Sequence, residues 1–136
     1  MIPTDDLTCA MVLVNPGLVN DPAGNQNQIG RIVKADLAAD EITVDFGDDH
    51  PALYSADALL MLKDSERLFQ LLEDLSVLSE KSRRGIYGIA LILHHGYEEA
   101  PLMSLKICRQ NPGIRDLVLE SAQDVLTRQQ NPELGR

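Results

Sequence analysis

Apolar and polar residues alternate with a period of two along the first 63 positions, and with a period near 3.6 after them. Residues 8–14 form an apolar strand candidate stopped by Asn15-Pro16-Gly17, a strong turn signal. Residues 29–35 predict a second strand, where Gly30 marks a bulge or a close approach of another backbone. Residues 40–46 alternate cleanly, with Ile42, Val44 and Phe46 on one face and Glu41, Thr43 and Asp45 towards water. Residues 51–54 make a short fourth strand, Ser55-Ala56-Asp57 a tight turn, and residues 59–62 a fifth strand.

Beyond Lys63 the pattern becomes helical. Asp64 is an N-cap with Glu66 in the first turn, and Leu68, Leu71, Leu72, Leu75 and Leu78 make one apolar stripe ending near residues 80–82. A second helix, about 83–95, is apolar on nearly every side through Ile86, Ile89, Ala90, Leu91, Ile92 and Leu93. Gly85 and Gly88 leave room for a neighbour, and Gly96 is the expected terminator. A third helix opens after Tyr97 with Pro101 in its first turn and carries Leu102, Leu105 and Cys108 on one face. A fourth starts at Asn111-Pro112 and runs to about Arg128, with Ile114, Leu117, Val118, Ala122 and Val125 inward.

The β-rich segment resembles SH3-like barrels of the KOW, CAP-Gly and Mib–Herc kind over residues 7–63. The resemblance rests on Ile29-Gly30-Arg31-Ile32-Val33, on Ile42-Thr43-Val44-Asp45-Phe46-Gly47, and on Ser55-Ala56-Asp57-Ala58-Leu59. These stand where such barrels carry a G-x-I/V strand, a V-x-F strand and a D-x-L turn. The Gly-Lys-Asn-Asp-Gly run of CAP-Gly peptide binding is absent. So are the aromatics of a groove for proline-rich ligands. The expected fold is α+β: a five-stranded SH3-like barrel over residues 1–63, a bundle of about four helices over 64–128, and a polar frayed tail at 129–136. An all-round apolar helix must be enclosed. Barrel and bundle are therefore expected to dock as one unit, with a homodimer through the helical half.

Charge narrows the function classes. The chain of 136 residues carries a net −9, and residues 1–63 hold ten acids against three bases. Nucleic acid is bound largely through neutralised phosphates, so recognition of it by the barrel is disfavoured, as is binding to a membrane surface. The start, Met1-Ile2-Pro3-Thr4-Asp5-Asp6, has no basic or apolar stretch of a secretory signal. The longest apolar run, residues 86–93, is far shorter than the roughly 20 residues of a bilayer crossing. Cys9 and Cys108 both lie in core-like segments and are expected as buried free thiols in a cytoplasmic protein.

Three clusters carry candidate chemistry. His94 and His95 with Glu98 have ligand-like types for a metal, but Gly96 interrupts the helix between them, and imidazoles there also complement the helix dipole. Lys81, Arg83 and Arg84 put positive charge at a helix start, where the dipole opposes it. They read either as an ion-pair seam or as a site for an anion or an acidic partner. The loop with Asn20, Asp21, Asn25, Gln26 and Asn27 is a recognition loop or a plain connector. The acidic turn of Asp45, Asp48, Asp49 and His50 lacks the spacing and the closing Glu of a Ca²⁺ loop. No catalytic or phosphate-binding motif stands out, and no cofactor is implied. The favoured expectation is a non-enzymatic protein-interaction or adaptor module. A small metal-binding protein or enzyme built on His94, His95 and Glu98 is the alternative, and nucleic-acid binding a third.

Overall fold

Five strands lie where the two-residue alternation places them. The computed structural model describes residues 7, 9–18, 24–73, 79–96 and 98–130. In it, β1 (Met11–Val14), β2 (Ile29–Asp36), β3 (Glu41–Asp45), β4 (Ala52–Tyr54) and β5 (Leu59–Leu62) are joined by a sixth strand, β6 (Leu119–Ser121). The sheet order is β4-β3-β2-β1-β5-β6, and the β1–β2, β1–β5, β2–β3 and β3–β4 pairings are antiparallel. The architecture is thus α+β, but the sheet is open, with β4 and β6 at its edges, and is not a closed five-stranded barrel. The register shifts between Ile32 and Lys34, so that Val33 is an extra residue opposite Thr43.

Two compact units emerge among the described residues: one from the chain up to Met61 together with the part from Ser121 onward, the other Leu62–Glu120. In the sheet unit, Val12, Val14, Ile32, Ile42 and Val44 are fully buried on one face, as their alternation requires. Leu13, between two of them, is buried on the opposite face. Gly30 sits where a Cβ would stand 2.5 Å from Val44 Cγ1 and 2.9 Å from Phe46 Cδ1, so the glycine marks a close approach; the bulge lies three residues further on, at Val33. Asp40, in the left-handed region at φ 54°, accepts from the Ala56 N–H at 2.9 Å and pins the 3₁₀ turn Ala56–Ala58 ahead of β5. The core is completed from the far end of the chain by Ala122 and Leu126 of α5 (Ala122–Gln130). The last helix therefore belongs with the strands, whereas the helical pattern alone groups it with residues 64–128.

The helical unit holds α1 (Ser65–Leu72), α2 (Glu80–His95), α3 (Ala100–Gln110) and α4 (Pro112–Val118), which makes five α-helices among the described residues with α5. Asp64 caps α1 as expected, its carboxylate accepting from the Arg67 N–H at 2.8 Å. The helix ends at Leu72; Leu75 and Leu78 of the expected stripe lie outside the described residues. Helix α2 begins at Glu80, three residues before the expected start, because Ser79 accepts from the Ser82 N–H at 3.1 Å. Gly96 ends it at φ 71°, as its position implies.

Ile86, Ile89 and Ala90 make the buried stripe of α2, while Leu91, Ile92 and Leu93 are only half-buried. The helix packs on α1, α3 and α4. A Cβ at Gly85 would lie 3.1 Å from Ile114 Cδ1, so that glycine sets the approach of α4; nothing stands near Gly88. The expected fourth helix is broken by β6, because Ser121 accepts from the Asp124 N–H at 3.1 Å and starts α5 anew.

Glu120, the middle residue of β6 just past α4, is 9 % exposed and receives both arms of the Arg67 guanidinium, one of them at 3.1 Å. The same guanidinium reaches Asp64 Oδ2 at 3.3 Å. The hydrogen bond to Glu120, opposed by partial burial, holds the arginine pKa above its ordinary value. Beside it, the Lys63 N–H donates to Val118 O at 3.0 Å and its Nζ to Leu117 O at 2.8 Å.

Gly30→Ala is expected to lower stability by about 1–3 kcal/mol, the usual cost of overpacking, read as a reduced denaturant midpoint with an unchanged slope. Breaking the Arg67–Glu120 pair is expected to cost about 2 kcal/mol, between an exposed pair and a buried one, since Arg67 is partly solvated. A double-mutant cycle of Arg67→Ala and Glu120→Ala measures it; additive single effects would show that the two side chains do not act together.

Candidate functional site

Two faces of neighbouring helices form the most functional-looking surface of the helical unit. On α1, the residues three and four positions after Phe69 are Leu72 and Glu73, which places all three on one side. On α2, Glu80, Arg83, Arg84 and Tyr87 share a side by the same spacing. Together these seven residues line an open cleft of about 440 Å³. The rings of Phe69 and Tyr87 meet edge to face with centroids 6.3 Å apart, and Phe69 meets His94 in the same way at 6.1 Å. Tyr87 is nevertheless 51 % exposed, one of four large hydrophobic residues left so among the described residues.

Charges line the rim unevenly. Arg84 Nη2 reaches Glu80 Oε1 at 2.9 Å, one turn back on the same helix, and both side chains are well solvated. Among the described residues, Arg83 and Glu73 enter no ion pair. The α2 lip is therefore basic, with Glu80 neutralised by Arg84, and the α1 lip carries an uncommitted carboxylate.

The structure divides the basic cluster expected from the sequence. Arg83 and Arg84 face the cleft with Tyr87, whereas Lys81 lines a second cavity of about 460 Å³ with Ser82, Gln110 and Asn111, on the α3–α4 side of α2. The only ion pair these three bases make among the described residues is Arg84 with Glu80, within α2 itself. His94 and His95 end α2 and are exposed, with ring centroids 6.2 Å apart. Glu98 is exposed past the Gly96 terminator, and no group of three potential metal ligands gathers among the described residues.

Of the loop residues, Asn20 and Asp21 lie outside the described residues. Gln26 Nε2 donates to Leu18 O at 3.1 Å, and Asn27, at φ 68°, donates its N–H to Val14 O at 2.9 Å. Gln28 N–H closes a turn on Asn25 O at 3.0 Å. These amides hold the connection into β2. In the acidic turn, Asp45 accepts from the Gly47 N–H at 2.9 Å and Asp48 from the His50 N–H at 3.0 Å, so two of its carboxylates fold back on their own backbone.

The thiols differ from the expected buried pair. Cys108 is fully buried in α3, but Cys9 is exposed, in a turn at φ 74°. Burial pushes the Cys108 thiol up to about 12, with the positive charge of Arg115 acting in the opposite direction. No helix among the described residues is long and apolar enough to cross a membrane.

Cys9 is expected to react with a thiol reagent within the mixing time at neutral pH, and Cys108 only on unfolding. Cys108 also makes stability depend on alkaline pH. Well below pH 9 its thiol is protonated in both states; as the pH rises through 9 the unfolded chain releases the proton and the folded one keeps it, so stability falls from about pH 8 towards 12. Between pH 8 and pH 10 the loss is expected to be about 1 kcal/mol larger in the native protein than in Cys108→Ala, compared by urea unfolding. Equal losses would show that the thiol is not protected.

Comparison of the chain with protein-family models, with curated proteins and with solved structures finds no match, so the cleft is interpreted on its own chemistry.

Proposed function

We propose that the protein is a non-enzymatic interaction module whose helical unit receives a segment of another protein in the α1–α2 cleft. One observation carries this reading: Tyr87 stays half-exposed against Phe69, with Arg83 beside it free of any ion pair among the described residues. An aromatic left in water beside an arginine has the composition of an interface anchor, since Tyr and Arg are enriched where partners bind. Covering the exposed half of the Tyr87 ring is worth roughly 1 kcal/mol when a partner buries it. Leu72, on the α1 side, extends the apolar floor, and the charged rim supplies orientation.

The sheet unit is proposed to be a variant of the SH3-like fold. Support comes from the antiparallel pairing of β5 with β1 and from the Ala56–Ala58 turn that leads into β5, which agree with the order of elements behind the resemblance. Its outer surface, where Val33 and Leu53 are exposed, is not assigned a partner.

A photo-crosslinking side chain installed at position 87, in the native host, is expected to form a covalent adduct with one protein of defined mass. The same group at Lys106, exposed on α3, is expected to form none. Adducts at neither position, or equally at both, would exclude the cleft. Tyr87→Ala is expected to leave the melting temperature nearly unchanged, because a half-exposed surface residue contributes little to folding, while weakening partner capture more than ten-fold.

A further inference from the structure

The two lips of the α1–α2 cleft carry opposite uncommitted charges, and this restricts what can lie between them. Arg83 stands on α2 one turn before Tyr87, about 6 Å along the helix axis. Glu73 stands at the end of α1, next to Leu72. Glu80 is already satisfied by Arg84 and adds little net charge of its own. A uniformly acidic segment would meet Arg83 but be repelled at Glu73, and a uniformly basic one would meet the reverse. Resting on the reading of the cleft as a docking site, we infer that its occupant is a peptide segment of a partner protein with three features. An apolar side chain lies against Phe69 and Tyr87, a carboxylate faces Arg83, and a Lys or Arg faces Glu73.

The position of Arg83 adds a second argument. It lies in the first turn of a 16-residue helix, where the exposed N–H groups already carry positive partial charge. Arg84 escapes that disadvantage through Glu80, and Arg83 has no such partner among the described residues. A carboxylate docked at Arg83 is favoured by the side chain and by the helix dipole together. A peptide is favoured over a free apolar acid because only a chain also brings a cation to the opposite lip.

The test uses fluorescein-labelled, end-blocked pentapeptides with a central Phe, flanked by Glu and Lys, by two Glu, by two Lys, or by two Gln. Binding to the full chain is followed by fluorescence anisotropy. The Glu/Lys peptide is expected to bind at least ten-fold tighter than either like-charged peptide. Arg83→Glu should move the preference to the Lys/Lys peptide, and Glu73→Lys to the Glu/Glu peptide; both positions are exposed, so circular dichroism should be unchanged. A ranking that ignores the two charge reversals, or the absence of binding by every peptide, would overturn the inference. So would phenylacetate displacing the Glu/Lys peptide at concentrations equal to the peptide's own dissociation constant. If no peptide binds while the adduct at position 87 still forms, the charge pattern alone is refuted. If the adduct is missing as well, the docking site itself is refuted.

Discussion

The helical unit depends on one junction, where Arg67 spans Asp64 and Glu120 while Lys63 donates from its backbone and its side chain to Val118 and Leu117. A carboxylate buried to the extent of Glu120 is costly unless its oxygens are satisfied, and the planar fork of Arg67 does this with two parallel donors. The residues joined are 53 positions apart, so the contact closes nearly the whole unit into a loop. Its first residues and its last residues are thereby neighbours. That is the condition under which a compact unit can be inserted in a chain whose other parts must fold together.

The sheet unit needs this arrangement because its strands do not complete their own core. Ala122 and Leu126 pack with Val12, Ile32 and Leu59, and both come from the helix that follows the inserted unit. With aromatics few and Trp absent, the core is assembled from aliphatic side chains, and each omitted element leaves an apolar gap that small residues cannot fill. Phe46 and Tyr54, edge to face at 6.4 Å, are the only aromatic pair in the sheet unit among the described residues. A chain that ended after β5 would keep the strand pattern and lose the cover for part of it.

Much of the local structure was legible because it follows from short-range rules. Strict alternation marks β3, and the close packing at Gly30 is signalled by a glycine inside a strand. Asp64 and Gly96 announce a helix start and a helix end by their own chemistry. What escaped were interruptions inside patterns that continue across them. Ile114 to Val125 keeps helical spacing through Leu119 and Glu120, yet the strand there is selected by tertiary contacts, among them the grip of Arg67 on Glu120. The cap at Ser121 was readable in principle, since its hydroxyl accepts from the N–H three residues ahead, but apolar periodicity outweighed it; the break before α2 was expected, and the Ser79 cap places it a few residues earlier. The same weakness hid the cleft. Neither Phe69 nor Tyr87 stands out in the sequence pattern, and only the packing of α1 on α2 puts them beside each other. The basic cluster was visible as composition, but its division between two faces of α2 depends on which side each neighbouring helix occupies.

Stability does not account for the charge pattern at the start of α2. Arg84 and Glu80 form an exposed i, i+4 pair, worth about 0.3–0.5 kcal/mol, which roughly offsets the unfavourable placement of one cation near the helix N-terminus. Arg83 gains nothing comparable, and its neighbour Tyr87 leaves half its surface in water although the Phe69 ring is within edge-to-face reach. An unpaired cation beside a half-exposed aromatic gains little from folding alone. In the proposed docking, both would gain together, from an apolar group over Tyr87 and a carboxylate at Arg83. On the same proposal, Glu73 across the cleft would favour a positive group at the other end of that segment.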